Sequence, residues 1–82
     1  MTTATKPTTL DAAQTSPRSL GEARLALLRE RGVFLSQIAR DLGKSVSSVS
    51  RVNRGQRRSR EIEREIARRL GLPVRDAFPE WA

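Results

Sequence analysis

The stretch from Leu35 to Arg54, LSQIARDLGKSVSSVSRVNR, decides the fold of this chain. In its first half, apolar residues recur at helical spacing from Leu35 to Leu42. Gly43 follows, where a left-handed residue commonly ends a helix. Ser45 can cap a second helix whose apolar positions are Val49 and Val52. The pattern predicts two short helices joined by a tight turn.

Composition limits what such a chain can do. Its 82 residues have room for one small domain. They include no cysteine and no histidine, which excludes disulfides, thiolate zinc sites and catalysis that depends on either residue. An active site made of carboxylates alone remains an alternative, but the sequence predicts no pocket for one. We therefore expect no enzymatic activity, catalytic residue, metal, cofactor or small-molecule ligand.

The charge balance points to the kind of partner. Sixteen Lys and Arg face nine Asp and Glu, for a net charge of +7, and all but Lys6 and Lys44 of these cations are arginines. Arginine suits planar, two-point contact with phosphates and guanine edges, so the balance favours a polyanionic partner. A basic protein that is merely soluble is the alternative.

Two regions flank the central stretch. Residues 1–18 are rich in Thr, Ala and Pro, and we expect a disordered tail; a basic arm for a DNA minor groove is the alternative, although Asp11 opposes its few cations. The domain should occupy residues 19–82. Ser19 to Glu22 fits a capping box, which predicts a first helix from Ser19 to about Gly32.

A later helix should run from a Ser59 cap to Gly71, with a short turn after Pro73. Phe78 and Trp81, two of the three aromatic residues with Phe34, would most simply close the core of so small a protein. The alternative for Trp81 is a dimer contact, because an exposed tryptophan is unusual unless a partner covers it.

The outer face of the helix after Gly43 carries the candidate base-reading residues. Opposite Val49 and Val52 this helix has short side chains and arginine, which allow close approach to a major groove and contact with guanine. The candidates are Val46, Ser47, Ser50 and Arg51. Two helices with this turn and this outer face form a helix-turn-helix. An ordinary polar helix face is the alternative, although serines are poor helix formers.

Phosphate contacts are expected around that face, with a solvated surface as the alternative. Four arginines fall within the seven residues from Arg54 to Arg60. They directly follow the helix after Gly43, which we call the recognition helix. The candidate phosphate-binding residues are Gln37, Arg40, Lys44, Ser48, Arg54, Arg57, Arg58 and Arg60.

With these residues in view, the chain resembles the phage-repressor-like helix-turn-helix superfamily, most closely small Ner-like phage regulators. The resemblance covers about Leu20 to Trp81. It rests on QIARDLGKSVSSVSRVNRG at 37–55, which is also similar to the headpiece of lactose-repressor-type regulators, and on IARRLGLPVRDAFPEW at 66–81. Lys44 departs from the family pattern, where an aliphatic residue is common, and Phe34 stands where Ser or Thr often caps the second helix.

The resemblance implies an all-α fold, a compact four- to five-helix bundle that binds a double-stranded DNA operator. It also implies repression, frequent dimerisation on inverted repeats, and base reading at Val46, Ser47, Ser50 and Arg51. We thus expect a phage or mobile-element repressor, a homodimer, cytoplasmic and associated with the nucleoid when bound to DNA, with no membrane partner. The alternatives are a DNA-architectural or recombination accessory protein that binds mainly phosphates, and a protein-interaction adaptor.

Overall fold

A computed structural model of the chain describes residues 17–81, with side chains from Ser19 onward. The elements follow one another as α1 (Pro17–Glu30), α2 (Leu35–Leu42), α3 (Val46–Asn53), α4 (Arg60–Leu70), α5 (Val74–Ala77) and a closing 3-10 turn (Pro79–Trp81). The predicted all-α fold is confirmed, since the described residues contain no strand. Most of the predicted tail, residues 1–16, lies outside the described residues.

The first helix starts earlier than its sequence pattern predicts. It begins at Pro17, so Ser19 lies within its first turn and not at its cap. Proline is favoured at the first helical position, because its φ angle suits a helix and it has no N–H that would be left unbonded there. The capping-box prediction for Ser19 and Glu22 is therefore wrong as a helix boundary.

The turn between α2 and α3 is built as its sequence predicts. Gly43 is left-handed, with a φ of 67°, and the Lys44 N–H donates back to the Ala39 carbonyl at 2.8 Å. Ser45 then caps α3, where its Oγ accepts from the Ser48 N–H at 3.1 Å. These two contacts fix the direction in which α3 leaves the turn.

The start of α2 is capped in an unusual way. Phe34 is the capping residue, but its side chain has no oxygen and cannot accept a bond from a helix N–H, so only its backbone carbonyl accepts from α2. Its own N–H donates to Gln37 Oε1 at 2.9 Å, which is the reciprocal half of a capping box. Leu35 is thereby the first residue of α2.

The core lies between α2, α3 and α4, with α1 and α5 closing its sides. Its buried members are Leu28, Ile38, Ala39, Val49, Val52, Ile62, Ile66, Ala67, Leu70, Ala77 and Phe78. The predicted inner face of the helix-turn-helix is thus confirmed, with Leu42 partly buried at its edge. Each large aliphatic side chain that is fully buried contributes about 1.5–3 kcal/mol to folding, so this face holds α3 firmly.

The three aromatic residues differ in how far they are buried. Phe78 is buried and closes the core as predicted. Trp81 is 38% exposed, so the prediction that it closes the core is wrong, and Phe34 is 51% exposed. Phe34 is turned out at a helix start, and the Trp81 ring lies under the Arg58 guanidinium, 4.5 Å from ring centroid to guanidinium carbon. As predicted, α4 is capped by Ser59 at its start and by Gly71 at its end.

Candidate nucleic-acid interface

The outer face of α3 is open to solvent. Val46 is 50% exposed although it is aliphatic, and Ser47 and Arg51 are exposed beside it. Burial of Val49 and Val52 on the opposite side determines this orientation, because residues three apart on a helix share a face. Three of the four predicted base-reading residues therefore lie together on one accessible ridge.

Ser50, the fourth candidate, is placed differently. It is half-buried and lines a groove between α1 and α3, together with Glu22, Leu25 and Leu35. Ser50 therefore borders this groove and is less accessible than Val46, Ser47 and Arg51.

Several exposed cations have no carboxylate partner. Arg40 on α2, Arg54 at the end of α3 and Arg57 in the following loop have no carboxylate within 4.0 Å among the described residues. Arg57 Nη1 reaches Ser48 Oγ at 3.4 Å, and Ser48 in turn accepts from the Ser45 hydroxyl at 2.9 Å. These guanidinium groups keep their full charge available for phosphates.

Other predicted phosphate ligands already have partners. Lys44 Nζ lies 3.2 Å from Glu61 Oε1, and Arg58 Nε donates to Glu63 Oε2 at 3.1 Å. Both cations are partly exposed, so a phosphate would compete with a carboxylate in the protein. Gln37 uses its side-chain oxygen in the α2 cap and retains its amide donors.

Arg60 is exposed at the start of α4, where it lines a shallow depression with Arg64 and Val74. No carboxylate of the described chain lies within salt-bridge distance of Arg60. Arg40, Arg54, Arg57 and Arg60 are thus exposed without a carboxylate partner in the described chain, and of these Arg54 and Arg57 lie next to α3. Lys44 and Arg58 are paired with carboxylates of α4.

A buried arginine was missed by the sequence analysis. Arg24 is completely buried, and its guanidinium donates to the Asn53 and Ala77 carbonyls and to both carboxylate oxygens of Glu80. It stands four residues from both Leu20 and Leu28, in the middle of the apolar stripe of α1. That spacing was a usable signal, because a cation inside a buried stripe requires a partner.

Two further buried polar residues were also missed. Asn53 ends α3, and its Nδ2 donates to the Gly21 carbonyl at 3.0 Å. Glu63 accepts from both Arg58 and the Ser59 N–H, the latter at 3.0 Å, and so holds the loop after α3 against α4. The partner of Asn53 is 32 residues away, which local spacing does not reveal, whereas the partners of Glu63 are only four and five residues away.

A cluster of ion pairs ties α2 to α4. Glu65 accepts from Arg68 Nε at 3.1 Å and Arg69 Nε at 2.6 Å, and Arg69 also bonds Asp41 on α2. The hydrogen bond from Arg68, together with that from Arg69, outweighs the effect of burial and lowers the pKa of Glu65. The same bonds raise the pKa of both arginines. All three groups are consequently charged at neutral pH.

Fold and interface together define a helix-turn-helix DNA-binding protein. Residues 21–81 match the winged helix-turn-helix DNA-binding family, and the chain belongs to that family. Residues 17–81 contain no β-strand, so the wing in the family's description has no counterpart in this part of the chain. No curated protein and no solved structure matches the chain. No helix in the described region has the length and apolarity needed to span a membrane.

Proposed function

We propose that this protein is a sequence-specific transcriptional regulator of double-stranded DNA, acting as a repressor that occupies an operator. The observation that carries the proposal is the exposed ridge of α3, on which Val46, Ser47 and Arg51 stand clear of the core beside unpaired arginines. An exposed valine next to short serines suits a major groove about 12 Å wide. The chain needs no chemical step for this role.

In the proposed complex α3 enters the major groove with its first turn leading. Arg51 makes a two-point contact with guanine O6 and N7, and Val46 packs on a thymine methyl. Ser47 contacts a base edge, and Ser50 contacts a base from the side of α3 that borders α1. Such an arginine contact contributes about 1–3 kcal/mol of discrimination between bases.

Phosphate binding supplies most of the affinity in this proposal. Arg40, Arg54, Arg57 and Arg60 are the principal ligands because no carboxylate of the described chain neutralises them. The remaining ligands, each with a smaller share, are Gln37, Lys44, Ser48 and Arg58. Lys44 and Arg58 contribute less because they must exchange a carboxylate partner for a phosphate.

The operator is proposed to be an inverted repeat bound by a homodimer, which resembles the mode of small Ner-like phage regulators. Two copies of α3 would then read half-sites about 10–10.5 base pairs apart. Exposed Val74 and Trp81 on the C-terminal elements support a covered surface outside the ridge. Sedimentation velocity with and without DNA tests the dimer; a single copy on the complete operator would contradict it. We further propose that the protein comes from a phage or mobile element. It would be located in the cytoplasm and associated with the nucleoid.

A gel shift tests the function directly. The full chain is titrated into a duplex from upstream of its own gene and into a scrambled duplex of the same composition. Salt is held at about 150 mM, where the Debye length is ~8 Å and exposed charges are largely screened. Preference for the upstream duplex is expected, and equal affinity for the two would refute sequence-specific regulation.

A second candidate is an architectural or recombination accessory protein that binds duplexes mainly through phosphates. It is favoured by cations that lie outside the ridge without a carboxylate partner in the described chain: Arg29, Arg31, Arg64 and Arg75. Arg51→Ala separates the candidates. The regulator should lose about 1–3 kcal/mol of base discrimination, whereas the accessory protein should lose affinity evenly, as it would with Arg54→Ala.

A further inference from the structure

The guanidinium of Arg24 joins three parts of the chain. From α1, its Nε and Nη2 both donate to the Asn53 carbonyl, at 3.2 and 2.5 Å, and its Nη1 donates to the Ala77 carbonyl at 2.8 Å. Glu80 accepts in two-point fashion, from Nη1 at 3.0 Å and from Nη2 at 2.6 Å. The Phe78 ring covers one face, 4.1 Å from centroid to guanidinium carbon. Every donor direction of this buried group is therefore fixed.

One of these contacts lies on the recognition helix itself. The Asn53 carbonyl belongs to the last turn of α3, where carbonyls have no partner within the helix. Arg24 supplies that partner, and the Asn53 side chain returns a bond to the Gly21 carbonyl on α1. A Cβ at Gly21 would stand only 2.9 Å from the Asn53 carbonyl oxygen, so the two backbones are in close contact. The end of α3 is thus attached to α1 by directional bonds.

We propose that Arg24, anchored by Glu80, is a positioning residue for base reading. It is completely buried and so inaccessible to DNA, but it sets the angle at which α3 presents Val46, Ser47 and Arg51. The inference rests on the proposed function for its consequence in DNA recognition. Its structural part, the fixing of the end of α3, stands on the contacts of Arg24 alone.

Stability alone does not account for this arrangement. The desolvation of a buried ion pair offsets much of its attraction, and apolar residues of similar volume often replace such pairs without loss of stability. Removing only one partner is damaging, because it leaves the other charge buried and unpaired. A double replacement, Arg24→Met with Glu80→Gln, removes both charges and keeps the volume. It should fold, while the Asn53 carbonyl loses its directional partner.

Amide hydrogen exchange on the free protein tests the structural part. The amides of Arg54, Gly55 and Gln56 donate to carbonyls of α3 at 3.0, 3.0 and 2.9 Å, so they report on its last turn. In the double variant they should exchange at least roughly tenfold faster than in the wild type. The control amides of Lys44 and Leu72, which close α2 and α4, should change by less than about twofold.

The same variant is then titrated against upstream and scrambled duplexes. The ratio of the two affinities should fall at least roughly tenfold, with binding to scrambled DNA nearly unchanged because the phosphate-binding arginines remain. Equal acceleration of all amides, or an unchanged ratio, overturns the proposal. If the wild type shows no preference, the proposed function fails, and the exchange pattern still decides the role of Arg24. If the double variant does not fold, Glu80→Gln is measured instead: Arg24 loses its charged anchor, so the amides of Arg54, Gly55 and Gln56 should still accelerate more than those of Lys44 and Leu72, and equal acceleration overturns the proposal.

Discussion

Arg57 Nη1 lies 3.4 Å from Ser48 Oγ, although nine residues separate them in the chain. The loop that leaves the end of α3 therefore returns alongside the first turn of the same helix. This relationship places an unpaired guanidinium beside the residues proposed to enter the groove. It connects the part of the protein that should supply affinity to the part that should supply specificity.

Arg57→Ala should weaken binding to all duplexes alike and reduce its dependence on salt. Each neutralised phosphate contributes about 0.9 to the slope of log affinity against log salt, so the slope should become shallower by about that amount. Binding is measured by fluorescence anisotropy between about 50 and 200 mM salt. Arg68→Ala is the matched control, because Arg68 pairs with Glu65 on α4 and should leave the slope unchanged.

Arg58→Ala should behave differently from its neighbour. Arg58 bonds the buried Glu63 carboxylate and covers Trp81, so its loss leaves that carboxylate with only the Ser59 N–H. Removing a partner from a buried acceptor costs about 1–3 kcal/mol, and the low end is expected because Arg58 is half exposed and water can replace it. Urea denaturation followed by the fluorescence of Trp81, the only tryptophan, measures both effects. Unchanged stability and emission would contradict the contact.

Much of this fold could be predicted from the sequence because its signals are local. Gly43 and Ser45 act within one turn of their own positions, as do Ser59 and Gly71 at the ends of α4. The apolar spacing that buries Ile38 and Val49 is local as well. Such features need no knowledge of distant parts of the chain.

Other features could not be predicted because the partners of the residues are far away in sequence. Arg24 is separated from Asn53 by 29 residues and from Glu80 by 56, so its place in the apolar stripe of α1 signals that it needs a partner but does not identify one. The environment of Trp81 depends on Arg58 in the same way. Within the candidate site, Lys44 could be identified as a cation, but its pairing with Glu61 required the packing of α4.

Gly21→Ala should destabilise the protein even though alanine favours helix formation. The new Cβ would lie 2.9 Å from the Asn53 carbonyl oxygen and 3.0 Å from Arg54 Cα, and both are backbone atoms that cannot turn aside. Overpacking costs about 1–3 kcal/mol, whereas the gain in helix propensity is about 1 kcal/mol. A net loss in the free energy of unfolding is therefore expected by urea denaturation.

The control for this variant is Ala26→Gly at an exposed position of α1, which isolates the propensity term at about 1 kcal/mol. A Gly21→Ala protein more stable than the wild type would show that α1 and α3 are not in close contact.

Glu65→Gln should remove a pH-dependent part of the stability. The pKa of Glu65 is lowered in the folded protein, chiefly by the hydrogen bond from Arg68. Its contribution is therefore present above the unfolded value of about 4.3 and disappears as pH falls through the lower folded value. Wild type and variant should differ at neutral pH and converge in acid, as measured by urea midpoints. A difference that stays constant with pH would contradict the ion-pair cluster.

The most direct test of the central claim is a titration at about 150 mM salt, where exposed charges are screened beyond ~8 Å. It compares the wild type with a variant in which Ser47, Arg51 and Arg54 are all replaced by alanine, after circular dichroism has shown that the variant is folded. Because the ridge of α3 is proposed to read the bases, the variant should bind the upstream duplex no better than the scrambled one. Wild-type affinity of the variant for the upstream duplex would contradict that claim and indicate an adaptor that retains the fold without reading DNA.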